Sequence, residues 1–346
     1  MFVVQLVILI VFGVFKFSTC DCNGDAFSKA IFDGCKAFKL ECAMYSVDGC
    51  VKDINITHLY LISLVTTIKR GSFVDNPILI NLDMSNNTIA HLERNAFQNN
   101  KLLMEIHLQF NNILQIFKNV FTGLGVNFIN LSHNKIMRVG NGVFGGMQGS
   151  ESLILYLDYN QISSIHPSAF IDSKIITITL SYNKLKSIKS GTFSKLEQLR
   201  YLDLSFNFIH TIEKKSIDGE TNRYLKELNL AANKLTDVDF FTKMRVNNLY
   251  VSSNNISRIS VEAMAYVNVT SMYVDPNPWI CECLWQFFKN KNDHIKVKSP
   301  KLDFNFIWAE RIPICVSSLH GKCESDDRSH YDLYNNAVNW NNLMKK

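Results

Sequence analysis

The chain has no cysteine between Cys50 and Cys281, no low-complexity run and no glycine loop of the kind that cradles phosphate. Charged residues are few, 19% of 346, and the net charge of +5 is mild. So weak a balance leaves no electrostatic footprint for nucleic acid. The nine histidines are scattered, and none pairs by sequence pattern with a nucleophile and an acid. Catalysis therefore has no foothold, and the expectation is a non-enzyme that needs no cofactor and no metal. Beyond the first residues no apolar run is long enough to span a bilayer or to direct a lipid anchor.

The opening MFVVQLVILIVFGVFKFSTC is apolar from Phe2 to Phe15 apart from Gln5. It is too short for a comfortable span and ends in small residues, with Ser18 and Cys20 at the −3 and −1 positions of a cleavage site before Asp21. Residues 1–20 are thus expected to be a signal peptide, and the remainder a secreted, extracellular chain with no membrane anchor. Loss of Cys20 leaves an even set: Cys22, Cys35, Cys42 and Cys50 near one end, Cys281, Cys283, Cys315 and Cys323 near the other. In an oxidising compartment such a set implies disulfides.

The cysteine-free middle is periodic. LDMSNNTIAHLERNAF, IHLQFNNILQIFKNVF, INLSHNKIMRVGNGVF, LYLDYNQISSIHPSAF, ITLSYNKLKSIKSGTF and LDLSFNFIHTIEKKSI superimpose without a gap. Their asparagines open a series of Asn87, Asn111, Asn134, Asn160, Asn183, Asn207, Asn233, Asn254 and Asn277, one every ~24 residues. The copies at Asn233 and Asn254 are shorter after the asparagine. LYLISLVTTIKRGSF (59–73) lacks the asparagine and reads as a degenerate first turn. Apolar residues five and three before each asparagine alternate with polar ones, which is strand periodicity. One such strand cannot bury its own face, so successive copies must stack into a parallel sheet. The chain then turns sharply, and a buried asparagine amide can satisfy the stranded backbone groups. Phe97, Phe121, Phe144, Phe170 and Phe193, with Phe241 and Met264 in the short copies, are expected to fill the interior.

This pattern resembles the leucine-rich repeat, and the resemblance implies an α/β solenoid, a horseshoe with a parallel concave sheet and disulfide-stapled caps. The expected layout is a cysteine cap over 21–58, repeats over 59–276, a second cap over 277–323 and a short polar tail over 324–346. NPWICECLW, starting at Asn277, is similar to the C-terminal cap of extracellular members, which implies pairs Cys281–Cys315 and Cys283–Cys323. Cys22, Cys35, Cys42 and Cys50 are expected to pair among themselves in an order left open. A bridge contributes about 2–4 kcal/mol. A four-thiolate zinc site is disfavoured by the wide gap after Cys283 and by the compartment, and a redox pair by the single residue between Cys281 and Cys283.

On each strand the residues six, four and two before the asparagine face away from the core, onto the concave side. These positions include Asp83, Glu105, Asp158, Asp203, Glu227 and Asp275 but no Lys or Arg, so a weakly basic chain carries an acidic face. Phe128, Tyr156, Tyr201, Tyr250 and Tyr273 stand among them, rigid aromatics of the kind protein-binding surfaces use. Asp83, Asp203, Ser85 and Ser205 also fit a purely structural habit of such repeats. A second stripe, one residue before the asparagine, holds Phe110, His133, Tyr159, Tyr182 and Phe206; it either stacks to shield the ladder or forms the working edge. Sequons at Asn55, Asn86, Asn130, Asn255 and Asn268 predict glycans. Asn130 lies on the concave side, which leaves Tyr156, Asp158, Thr179, Tyr201, Asp203, Glu227, Asn229, Tyr250, Tyr273 and Asp275 as the expected face for a protein ligand.

In the tail, Leu333, Ala337, Trp340 and Met344 follow a heptad-like spacing. It reads as a surface-docked short helix or as a stub for a partner with a longer helical segment. The chain is similar to secreted leucine-rich-repeat immune proteins of insects, which implies soluble recognition in humoral immunity. Extracellular matrix, adhesion or developmental signalling is the alternative.

Overall fold

The computed structural model describes residues 37–42, 46–47, 51–52, 57–63, 65–147, 152–217, 224–241, 244–260, 268–274, 276–280, 296–298 and 315–316. The signal peptide, at least one cysteine of every expected disulfide, Met264, Asp275, the sequon at Asn55 and the 324–346 tail lie outside them. Two compact units divide the chain, one of Met1–Gln161 with Ser168–Ile175, the other of Ile162–Pro167 with Ile176–Lys346.

In the first unit six strands pair in parallel: Ala37–Cys42, His58–Ser63, Asn81–Asp83, Glu105–His107, Phe128–Asn130 and Leu153–Tyr156. The degenerate first turn is a true repeat, because His58 and Leu59 stand in register with Asn81 and Leu82. Stacking also reaches one strand earlier, to Ala37–Cys42, within the segment expected to be the cap. In the second unit the parallel order is Ile175–Thr179, Tyr201–Asp203, Tyr224–Asn229, Arg245–Tyr250, Asn268–Tyr273 and Lys296–Lys298.

Each turn buries the residues its period assigns. Leu82, Met84, Ile89, Leu92 and Phe97 are all buried in one copy, and Leu202, Leu204, Ile209, Ile212 and Ile217 in another. Behind the sheet of the first unit, Phe73, Phe97, Phe121, Phe144 and Phe170 form a continuous stack with ring centroids 5.7–6.0 Å apart. Burying each ring contributes about 2–3 kcal/mol. Phe241 is buried in its short copy, as expected. Among the described residues the connections contain turns and two-residue strands, such as Thr67–Ile68 on His91–Leu92, and no helix. So few residues separate a core phenylalanine from the next strand, Phe121 from Phe128 for instance, that two helical turns do not fit.

The asparagine ladder has the expected form. Asn111 Nδ2 donates to the Met84 carbonyl of the turn before (2.9 Å) and to its own Leu108 carbonyl (3.0 Å), while its Oδ1 accepts the Ile89 N–H (2.9 Å). Asn134 and Asn160 repeat this in the first unit, and Asn207, Asn233 and Asn254 in the second. Asn277, first residue of NPWICECLW, is the last rung: it donates to Val251 O and Val274 O and accepts from Ile256 N. A smaller buried pair escaped the sequence reading. Asn100 donates to Phe73 O and Phe97 O and accepts the Asn76 N–H, and the signal for it was Phe-x-x-Asn at both Phe73 and Phe97.

Asn207→Ala strands the Leu185 N–H in the interior and takes one of two donors from the Leu180 carbonyl, which keeps Asn183 Nδ2. At 1–3 kcal/mol for an unsatisfied buried group, the substitution is expected to cost about 2 kcal/mol, read as a lowered urea midpoint at unchanged slope.

Candidate functional site

Alternation along each strand sets the outward rows. In the second unit one row runs Thr177, Tyr201, Glu227, Asn248, Ser271 and the next Thr179, Asp203, Asn229, Tyr250, Tyr273, each residue paired in register with its neighbour. The expected binding residues Thr179, Tyr201, Asp203, Glu227, Asn229, Tyr250 and Tyr273 therefore occupy one continuous surface, exposed or half-exposed throughout. Ser181, Ser205 and Ser271 are buried although their positions face outward, since small side chains disappear between longer neighbours. One further strand, Lys296–Lys298, pairs in parallel beyond these, with Lys296 in register with Ser271 and Lys298 with Tyr273.

At the centre of this surface Tyr250 and Tyr273 stack, centroids 4.2 Å apart and planes within 13°. Partial burial raises the Glu227 carboxyl above its ordinary range, and the charge of Asp203 adds to the effect. Burial likewise pushes the Tyr250 hydroxyl up to about 12, assisted by the Glu227 charge and a hydrogen bond with Tyr273. Glu227 and Tyr250 thus sit partly dehydrated beside Asp203 and Tyr273, and the negative charge of Glu227 is held there at a cost. Lys226, seven residues before its asparagine, lies with Nζ 5.6 Å from the Tyr201 ring and covers part of it.

Asp203 and Asn229 have a second task. Asp203 Oδ1 accepts the Ser205 N–H (2.9 Å), and Asn229 Oδ1 the Ala231 N–H (3.1 Å). Asp83 and Asn130 do the same in the first unit. The residue four before the ladder asparagine closes the strand end as an Asx turn, so the structural habit of Asp83 and Asp203 is real.

In the first unit Tyr156 and Asp158 belong to different surroundings. Tyr156 meets the Phe128 ring edge-on at 5.3 Å, and Phe128 lies 5.1 Å from the His107 ring. Asn130 is the register partner of Tyr156, so a glycan there would stand beside this tyrosine rather than short of it. Glu105 is held by Asn81 Nδ2 (2.6 Å) and by His107 Nε2 (3.3 Å). Asn81 Oδ1 and Gln109 Oε1 are buried with no hydrogen-bond partner, a polar debt that no sequence pattern announced.

The stripe before each asparagine does stack. Phe110, His133 and Tyr159 follow at 4.4 and 4.3 Å in the first unit, and Tyr182 and Phe206 at 4.3 Å in the second. Each of the five has positive φ, between 51° and 57°. That left-handed conformation costs a non-glycine residue about 1–2 kcal/mol, and the sharp exit from the strand imposes it. Stacking returns about 0.5–1.5 kcal/mol per pair. Among the described residues no group of three or more His, Cys, Asp or Glu is placed to hold a metal.

Parallel strands stacked turn on turn over an asparagine ladder define a solenoid scaffold. Two models of one family match the chain: a BspA-type leucine-rich repeat region of six copies over 29–149, and a leucine-rich repeat over 153–209 and 173–235. The chain belongs to the leucine-rich-repeat family, whose members are typically protein-interaction scaffolds rather than enzymes. It is similar to the crystal structure of the APL1 leucine-rich repeat domain at 22% identity, covering 76% of this chain and 72% of that one, with a TM-score of 0.49. The LRIM1/APL1C complex gives 18% identity, 88% and 66% coverage and a TM-score of 0.44; human 5T4 gives 17%, 61% and 83%, and 0.44. No curated protein sequence matches the chain.

Because its folded-state pKa is raised, Glu227 favours folding most below the ordinary carboxylate range, and that contribution fades as pH climbs through the raised value. Glu227→Gln is accordingly expected to match the parent in Tm below pH 4 and to exceed it at pH 7. At a left-handed site, His133→Gly is expected to be more stable than His133→Ala by about 1 kcal/mol in urea unfolding.

Proposed function

We propose that this chain is a secreted, non-enzymatic scaffold that binds a basic protein surface on the sheet face of its second unit. The observation that carries the reading is the Glu227–Tyr250–Tyr273 site, where rigid rings adjoin a carboxylate whose charge is disfavoured until a cation arrives. A lysine or arginine from a partner would relieve that penalty, and stacked tyrosines offer contact area with little side-chain entropy to lose. Secretion rests on the apolar leader and the even cysteine set. The role assigned is soluble recognition in humoral innate immunity, which rests on the resemblance of the repeats and the cysteine-bearing ends to secreted immune members of the family.

Affinity capture of the mature protein from native body fluid, with identification of the retained proteins, supplies the ligand. The double variant Asp203→Asn, Glu227→Gln keeps the Asx acceptor, as Asn229 shows, while removing both charges. It is expected to bind the captured partner at least ten-fold more weakly, and the parent's affinity is expected to fall as pH drops from 7 into the ordinary carboxylate range. Undiminished binding by that variant overturns the assignment of the site. An unchanged transcript level after infection counts against the immune role.

A further inference from the structure

The turns that follow the ladder asparagines in the second unit carry the opposite electrostatic character. Successive turns are hydrogen-bonded in step, Phe208 N to Leu185 O (2.9 Å), His210 N to Lys186 O (3.0 Å), Lys234 N to Ile209 O (2.8 Å) and Asn255 N to Leu235 O (2.8 Å). This registers three rows of side chains. One residue before the asparagine stand Tyr182, Phe206, Ala232 and Ser253; one after it, Lys184, Phe208, Lys234 and Asn255; three after it, Lys186, His210, Thr236 and Ser257. None of the twelve is acidic. Two acids border the rows, Glu213, whose Oε2 accepts the Ser190 N–H, and Asp237, whose Oδ1 accepts the Asp239 N–H.

Apolar surface is interleaved with that charge. Tyr182, Phe206 and Phe208 are 40%, 48% and 46% exposed, so three large rings stand at the surface within these rows. Lys234 Nζ sits 5.2 Å from the Phe208 ring. Tyr182 covers one face of Phe206, and on the other side the row continues with Ala232, which has only a methyl group to set against the ring. The aromatic row stops there, with a flat face at its end.

We propose that this surface docks an acidic segment of a protein partner, one aromatic side chain of which extends the row at Phe206 over Ala232 while its carboxylates meet Lys184, Lys186 and Lys234. A run of nucleobases or sugar rings would need a series of open ring faces, and here Tyr182 and Phe206 use theirs on each other. Three exposed rings among three lysines suit a ligand that brings apolar area together with carboxylates. The site is separate in residues and opposite in charge preference from the Glu227 surface, so each can fail without the other.

The test is selection of a phage-displayed random dodecapeptide library on the full chain, compared with the variant Lys184→Glu, Phe206→Ala, Lys234→Glu. Net-acidic peptides carrying an aromatic residue are expected to be enriched on the parent and not on the variant. In fluorescence anisotropy their affinity should fall at least ten-fold with Phe206→Ala or Lys234→Gln alone and stay unchanged with Asp203→Asn, Glu227→Gln. Should the triple variant fail to fold by circular dichroism, the two single variants carry the comparison. Enrichment of neutral or basic peptides, equal enrichment on the variant, or none at all overturns the proposal. So does retention of heparin or single-stranded RNA by these lysines more tightly than any selected peptide.

Discussion

Everything described depends on one side chain repeated at fixed intervals. An outward strand only three to six residues long must be followed at once by a reversal, and the reversal leaves carbonyls and N–H groups inside the protein with no sheet partner. The ladder asparagine answers this with an amide that both donates and accepts, tying its own turn to the one before it. No other short side chain supplies two donors and an acceptor in one plane. Leucine and phenylalanine provide the driving force, but the amide is what allows so much backbone to be buried between them.

The reversal has a local cost that the sequence displays only indirectly. The residue before each asparagine is driven into the left-handed region, where glycine would be easiest, yet the chain places Phe110, His133, Tyr159, Tyr182 and Phe206 there. Their stacking offsets part of the strain and also puts large rings at the surface. The alternatives of shielding stripe and working edge are therefore not exclusive: ring faces shield one another, while ring edges and the terminal face at Phe206 stay available.

Charge is sorted by the same geometry. In the second unit the outward strand positions hold Asp203, Glu227 and the tyrosines, while the positions one and three residues after the asparagines hold Lys184, Lys186 and Lys234. Glu227 shows why the sorting matters. Its carboxylate is disfavoured by burial and by Asp203, a state that the proposed cationic partner would relieve.

Much of the fold was legible in the repeat, because each copy restates the same local rules. Strand alternation assigns Leu202 and Leu204 inward and Tyr201 and Asp203 outward whatever the neighbours do, and the spacing from asparagine to phenylalanine places Phe97 on Phe121. The candidate site was legible as a set of outward positions, not as an arrangement. Side-chain period says which face a residue takes; what it touches there depends on cross-strand register and on the size of its neighbours. Stacking of Tyr250 on Tyr273, the dehydration of Glu227, the nearness of Asn130 to Tyr156 and the disappearance of Ser181 and Ser205 are contacts between turns about 24 residues apart. The sequence by itself determined the ladder, the core and the two faces, since those follow from local periodicity. Only the tertiary structure decided which outward residues meet and at what electrostatic cost, since that is settled by packing between turns.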